Sequence, residues 1–234
     1  VVREVERLTP QLTRVVVSGD MRNWKAEVPG GHFKLFVPDP TAEQERAMRT
    51  YTARACDPEA GLLTIDFAIH ADGPATRWAT AARPGEELEI SGAARPGYAP
   101  GEDTDLTVFI ADQSALPAVA AIAEALPRGY RARALIEIPA ATEQLQLVTD
   151  AELEVEWIIE SGAPCERLVA AALALGPQAG QVEYWVGCEA DAMRVVRRHL
   201  RHGLGVAPRA LHTRAYWKQS VANHPDHDIG DDVD

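Results

Sequence analysis

Apolar and polar residues follow two different periods along this 234-residue chain, and the change comes near its middle. From Val1 to Ile90 the apolar residues fall in short runs of period two cut by Pro and Gly, the pattern of half-buried strands and tight turns. Val1–Val17 reads as two strand pieces around a bend at Thr9-Pro10. His32–Pro38 alternates Phe33, Leu35 and Val37 with His32, Lys34 and Phe36. Asp39–Met48 is polar and Pro-bounded, and reads as a loop with a helical turn. Arg49–Arg54 reads as a strand, and Leu62–His70 follows a turn as the second arm of a hairpin. Gly73-Pro74 opens an Ala-rich run to Ala82, a helix start with Pro in the first turn. Glu87–Ile90 is a further strand. Several short strands with one short helix predict an N-terminal antiparallel β-barrel over residues 1–103.

Beyond a Pro-, Gly- and acid-rich linker at Tyr98–Asp105, the pattern becomes one of alternating strands and helices. Leu106–Ala111 is a continuous apolar run of the kind covered on both faces. Asp112-Gln113-Ser114-Ala115-Leu116-Pro117 starts a helix that Pro127 ends. Ala132–Ile138, Leu153–Glu160, Val182–Val186 and Arg209–Trp217 read as strands, and Glu166–Leu175 and Ala190–Arg201 as helices. The crossover Pro139–Ala151 is too short and too polar for a full helix. This alternation predicts a C-terminal parallel α/β domain over residues 104–218. Ligands in such sheets sit at the C-terminal strand ends, which here carry Asp112, Ser114, Glu137, Ser161-Gly162 and Gly187-Cys188-Glu189. No Gly-x-Gly-x-x-Gly fingerprint is present. Residues 219–234 form an acidic tail, expected to be disordered, and His224 and His227 belong with it rather than with a metal site.

The densest chemistry lies in Arg49-Thr50-Tyr51-Thr52-Ala53-Arg54. Side chains at i and i+2 share a face of a strand, so Arg49, Tyr51 and Ala53 point one way, and Thr50, Thr52 and Arg54 the other. A guanidinium beside a phenol ring suits a ligand with both a phosphate and a flat heterocycle. The Gly73-Pro74 helix start offers free N–H groups and a dipole to an anion. Lys34, in mid-strand, is a solvated group, or a cation for a ligand if its strand lines a cleft.

The composition, 46% hydrophobic and 25% charged, is that of a globular protein, and the net charge of −12 argues against nucleic-acid binding. An anionic ligand would therefore need a local cluster of Lys and Arg. No apolar run is long enough to span a bilayer. Cys56, Cys165 and Cys188 are odd in number and lack metal-ligand spacing, which points to a reducing compartment, with cytoplasm expected and no resident metal.

In order and spacing, several motifs resemble the siderophore-interacting protein family of ferredoxin reductase-like flavoproteins. They are His32-x-Lys34-Leu35-Phe36-x-Pro38, Arg49-Thr50-Tyr51-Thr52-x-Arg54, Asp66-Phe67-x-x-His70-x-x-Gly73-Pro74-Ala75-x-x-Trp78-Ala79, Ser114-Ala115-Leu116-Pro117-Ala118 and Ala215-Tyr216-Trp217-Lys218. The resemblance implies FAD bound between the two domains and reduction of a ferric siderophore. Arg49 would hold a flavin phosphate, Tyr51 would stack on the ring system, and Thr52 would bond near its reactive nitrogen. Gly73, Pro74, Ala75 and Thr76 would cradle the pyrophosphate. His70 and Trp78 would flank the cofactor, with core packing the other reading of Trp78. Lys34, Arg95 and Lys218 would meet an anionic ferric complex, although Gly92–Gly97 departs from the family's usual loop around Arg95. Electrons would come from NADH or NADPH, with Asp112, Ser114 and Glu137 at the nicotinamide dinucleotide. Glu137 would favour NADH; Arg128, Arg131 and Arg133 would favour NADPH. Reduced ferredoxin is an alternative donor, and a monomer is expected. A siderophore-binding module without electron transfer and a general flavin or quinone reductase are the competing functions.

Overall fold

A computed structural model describes residues 1–22, 24, 28–41, 45–69, 72–91 and 97–221, so the expectations for His70, Arg95, His224 and His227 lie outside the described residues. The chain divides into two compact units at Ala99/Pro100, with Ala120–Ile122 grouped with the first.

The first unit contains β1 (Val2–Thr9), β2 (Leu12–Ser18), β3 (His32–Pro38), β4 (Arg46–Thr52), β5 (Ala55–Asp57), β6 (Leu62–Ala68), α1 (Pro74–Ala81) and β7 (Glu89–Ile90). The strands form two antiparallel sheets, ordered β1-β2-β6-β5 and β4-β3-β7. Their period-two alternation decides which side is buried. Val15, Val17, Phe33, Leu35, Val37, Leu63, Ile65 and Phe67 are each at most 3% exposed and meet in one core. Each such burial stabilises the fold by about 1.5–3 kcal/mol. On α1, Ala75 and Ala79 are four residues apart on one helix face and lie in the same core.

Several boundaries differ from expectation, among them strand β5 in a stretch expected to be a turn and β7 reduced to Glu89–Ile90. β4 begins at Arg46 rather than Arg49, because the ladder with β3 continues through Val37↔Ala47 and Pro38↔Arg46. Small, buried Ala47 between exposed Arg46 and Met48 gives too weak an alternation to show in the sequence. Tyr98 is buried and its N–H bonds to the Pro29 carbonyl, so it belongs to the first unit rather than to a linker. Beside it only glycine fits at position 97, where a Cβ would sit 1.6 Å from the Pro29 oxygen.

The second unit follows the α/β pattern: β8 (Leu106–Asp112), α2 (Leu116–Ala125), β9 (Arg131–Ile138), β10 (Glu152–Ile159), α3 (Glu166–Leu173), β11 (Val182–Glu189), α4 (Ala190–Arg198) and β12 (Leu211–Trp217). The five strands are parallel in the order β10-β9-β8-β11-β12. Right-handed crossovers place α2 on one face and α3 and α4 on the other. A 3₁₀ turn at Ala141–Glu143 takes the place of a helix between β9 and β10. Every residue of β8 is buried, as its apolar run requires. Met193, Val196 and Leu200 carry the apolar stripe of α4 into a π-helical turn at His199–Gly203. The edge strand β10 exposes Glu152, Glu154 and Glu156 in alternation. Among the described residues no helix is long and apolar enough to cross a membrane.

Candidate functional site

In the first unit the predicted residues gather where β4 meets the start of α1. Tyr51 is partly buried, its ring centroid 4.5 Å from that of Phe67, which lies 5.6 Å from Trp78. Trp78 thus packs against the core through Phe67 while staying partly exposed. Burial pushes the Tyr51 phenol well up, more than the Arg49 cation pulls it down, so the ring remains neutral. Arg49 Nη1 donates to the Met48 carbonyl at 2.8 Å. Thr52 is buried and pairs with His32.

The first turn of α1 is open. Gly73 precedes Pro74 with extended backbone, and no side chain caps the helix. Helix starts leave their first N–H groups without intrahelical partners; here those of Ala75 and Thr76 fall in that class, while Arg77 N–H bonds Gly73 O at 2.9 Å. A Cβ built on Gly73 would meet nothing within 4 Å. Asp39, just past β3, is a residue that sequence reasoning missed. Hydrogen bonds from Thr41 hold Asp39 below the usual carboxylate range, helped by the nearby Arg77 and Arg49 cations. Arg77 itself is paired with Asp72, its Nη1 lying 3.1 Å from Oδ1.

Lys34 pairs with Thr50 across the ladder, and its Nζ donates to the Thr50 hydroxyl. Both lie on the strand face opposite Arg49 and Tyr51, the face shared by Thr52. The backbone of Lys34 bonds Ser91 in both directions. A separate cleft of about 580 Å³ lies near Phe36, Pro38, Arg46 and Glu89, and none of the predicted site residues lines it.

In the second unit the C-terminal strand ends are drawn together by carboxylates. Chain connections leave β8 and β11 in opposite directions, so their ends flank the topological switch point. Asp112 fills that place. Its Oδ1 accepts from Ser114 N–H at 2.9 Å and from the Ser114 hydroxyl, and its Oδ2 accepts from Trp217 Nε1 at 2.8 Å, Glu189 N–H at 3.0 Å and Cys165 Sγ at 3.5 Å. Glu137 is also turned inward, accepting Cys165 N–H at 2.7 Å and Leu168 N–H at 2.8 Å at the start of α3. Burial raises the Glu137 carboxyl despite those two bonds. The arginines expected nearby are also engaged, Arg128 with Asp150 at 2.9 Å and Arg133 with Glu156 at 3.1 Å. Lys218 Nζ lies 3.6 Å from Asp191 at the first turn of α4. Gln219 and Val221, assigned from sequence to a disordered tail, are tied back to Glu189 and Lys218.

Comparison with known proteins names what this arrangement resembles. Residues 40–97 match the siderophore-interacting FAD-binding domain, and residues 104–220 match the siderophore-interacting protein domain. The mycobactin import ATP-binding/permease protein IrtA of Mycolicibacterium smegmatis is 28% identical over 222 residues, 93% of this chain and 25% of its own length. This chain thus spans a quarter of that relative. Ferric vibriobactin reductase ViuB of Vibrio cholerae is 24% identical over 250 residues, 92% of each protein. The crystal structure of a siderophore utilization protein from T. fusca superposes with a TM-score of 0.87 at 33% identity, covering 97% of this chain and 94% of that one. A ferredoxin NADP+ reductase from Neisseria gonorrhoeae shares the fold at 12% identity and a TM-score of 0.67, over 92% and 96% of the two chains. With an FAD-binding domain in a ferredoxin reductase-like fold and a matched domain over half its length, the chain belongs to the siderophore-interacting protein family.

Proposed function

We propose that the chain is an FAD-dependent reductase of ferric siderophores that draws its electrons from NADH or NADPH. The observation that carries this reading is the uncapped, open start of α1, where Gly73 leaves room at the first N–H groups, beside β4 with Arg49 and the partly exposed ring of Tyr51. These features fit a flavin dinucleotide: N–H donors and a guanidinium for the phosphates, and an aromatic face for the ring. The chemistry FAD supplies when bound is the conversion of a two-electron hydride donor into one-electron reduction of Fe(III).

The protein's own residues hold and orient. Arg49 grips a phosphate, and the N–H groups of Ala75 and Thr76 take the pyrophosphate where Gly73 leaves room. Tyr51, braced from behind by Phe67, fixes the plane of the ring system. Thr52 sets a hydroxyl at its reacting edge. Lys34 shares the strand face of Thr52 and would draw an anionic ferric complex toward that edge; Arg95 and Lys218 are the other proposed anion contacts. Reduction to Fe(II) weakens the hold of hard oxygen donors and favours release.

For the choice between NADH and NADPH, Glu137, Arg128 and Arg133 each already have a partner in the protein. Both oxygens of Glu137 serve α3, and Arg128 and Arg133 are paired with acids. Anaerobic titration of the FAD-loaded protein with NADH and then NADPH, followed by ferric siderophore, tests the proposal. Bleaching of the flavin absorbance by a nicotinamide and its return on adding the ferric complex is the expected result. Reoxidation by quinones alone would identify a general reductase, and failure to bind flavin a binding module. Bleaching by reduced ferredoxin but by neither nicotinamide would replace the donor.

A further inference from the structure

We infer that Trp217, Asp112 and Glu189 form a latch that positions Lys218 for anionic substrate. The inference rests on the proposed reading of Lys218 as an anion contact, and it gives Asp112 a positioning role in place of a nicotinamide contact.

The latch begins with an irregularity in β12. Cys188 pairs with Ala215, but Glu189 pairs with Trp217, so Tyr216 is an extra residue in the ladder. A bulge of this kind re-aims the side chains beside it. Room for it comes from Gly187, where a Cβ would lie 2.9 Å from the Tyr216 ring and 2.7 Å from Trp185. Past the bulge, Trp217 sends its indole N–H to Asp112 Oδ2 at 2.8 Å. The same carboxylate holds Glu189 N–H, which locks the end of β11 to the end of β8.

Glu189 fastens the other side of Lys218. Its Oε2 caps α4 through the N–H groups of Asp191 at 2.7 Å and Ala192 at 3.0 Å, and its Oε1 accepts Gln219 N–H at 3.2 Å. Lys218 thus stands between two anchored neighbours. A long, flexible side chain loses rotamer freedom when it grips a ligand, and a fixed backbone limits what else must be ordered. Two buried carboxylates holding the flanks of one lysine do more than close a strand end.

The test compares KM for trianionic ferric enterobactin with KM for neutral ferrichrome, using FAD-loaded full-length protein. Lys218→Ala should raise the enterobactin-to-ferrichrome KM ratio about three- to tenfold. Trp217→Phe, which removes only the indole N–H and a little ring, should raise it by a similar factor. In the Lys218→Ala background, Trp217→Phe should add less than about twofold, because the residue it positions is gone. Glu189→Gln, with one acceptor oxygen for the cap and the segment to share, gives a second variant with the same expectation should Trp217→Phe fail to fold. An effect of Lys218→Ala with none from Trp217→Phe or Glu189→Gln, or effects that add in full, would overturn the latch and leave the Lys218 reading standing. No change with Lys218→Ala would sink that reading and the latch with it.

Discussion

Asp191 Oδ1 stands 3.6 Å from Lys218 Nζ and 2.6 Å from Arg194 Nη1, so one carboxylate at the head of α4 is shared by two cations. It offsets part of the positive field that Lys218 would present to an anion. Asp191→Asn should lower KM for ferric enterobactin by about two- to threefold, in line with a partly exposed pair worth under ~1 kcal/mol, and leave ferrichrome nearly unaffected. Steady-state kinetics at low and high salt check it, since added salt should shrink the difference.

Loss of the Arg49 guanidinium should weaken FAD binding by about 10- to 100-fold, corresponding to about 1.5–3 kcal/mol for a charge-assisted contact. Fluorescence titration of deflavinated Arg49→Ala protein measures this directly. An unchanged Kd would move the phosphate elsewhere.

Gly73→Asp offers opposite effects on stability and binding. Gly73 has extended backbone that any residue can adopt, with open space at its Cβ. An Asp there would cap α1 and stabilise the cofactor-free protein by a few tenths of a kcal/mol. The same carboxylate would repel the pyrophosphate, so FAD affinity should fall by about tenfold or more. Thermal melts without FAD and a binding titration read the two effects separately.

Glu137→Gln leaves one acceptor where two backbone N–H groups now bond. The unsatisfied donor should cost about 1–3 kcal/mol. Because burial raises the Glu137 pKa in the native state, the native protein holds this proton more tightly than the unfolded chain. That contribution is fully present below the ordinary Glu value of about 4.3 and is lost as pH rises through the raised one. Urea unfolding across that window should show a stability slope that the Gln variant lacks.

Much of this layout is legible in the chain because it is local. The alternation of Phe33, Leu35 and Val37 sets the buried face of β3, and Gly73-Pro74 before an Ala-rich run sets the start of α1. What stayed hidden depends on distant partners. A carboxylate at the end of β9 looks the same whether it faces a ribose or the N–H groups of Cys165 and Leu168, which lie 28 and 31 residues further along. The pairing of Trp217 with Asp112, 105 residues apart, likewise needs the first and last strands of the α/β sheet to fold first. The start of β4 at Arg46 was obscured because ladder pairing extends past the last visible alternation.

The glutamates of β10 carry a consequence beyond their own strand. An outer strand is a ready template for another, and a second copy laid along this one would bring its own row of like charges against Glu152, Glu154 and Glu156. The row works as a fence. Replacing all three with threonine, a residue at home in strands, would leave the border of the sheet sticky to its own kind.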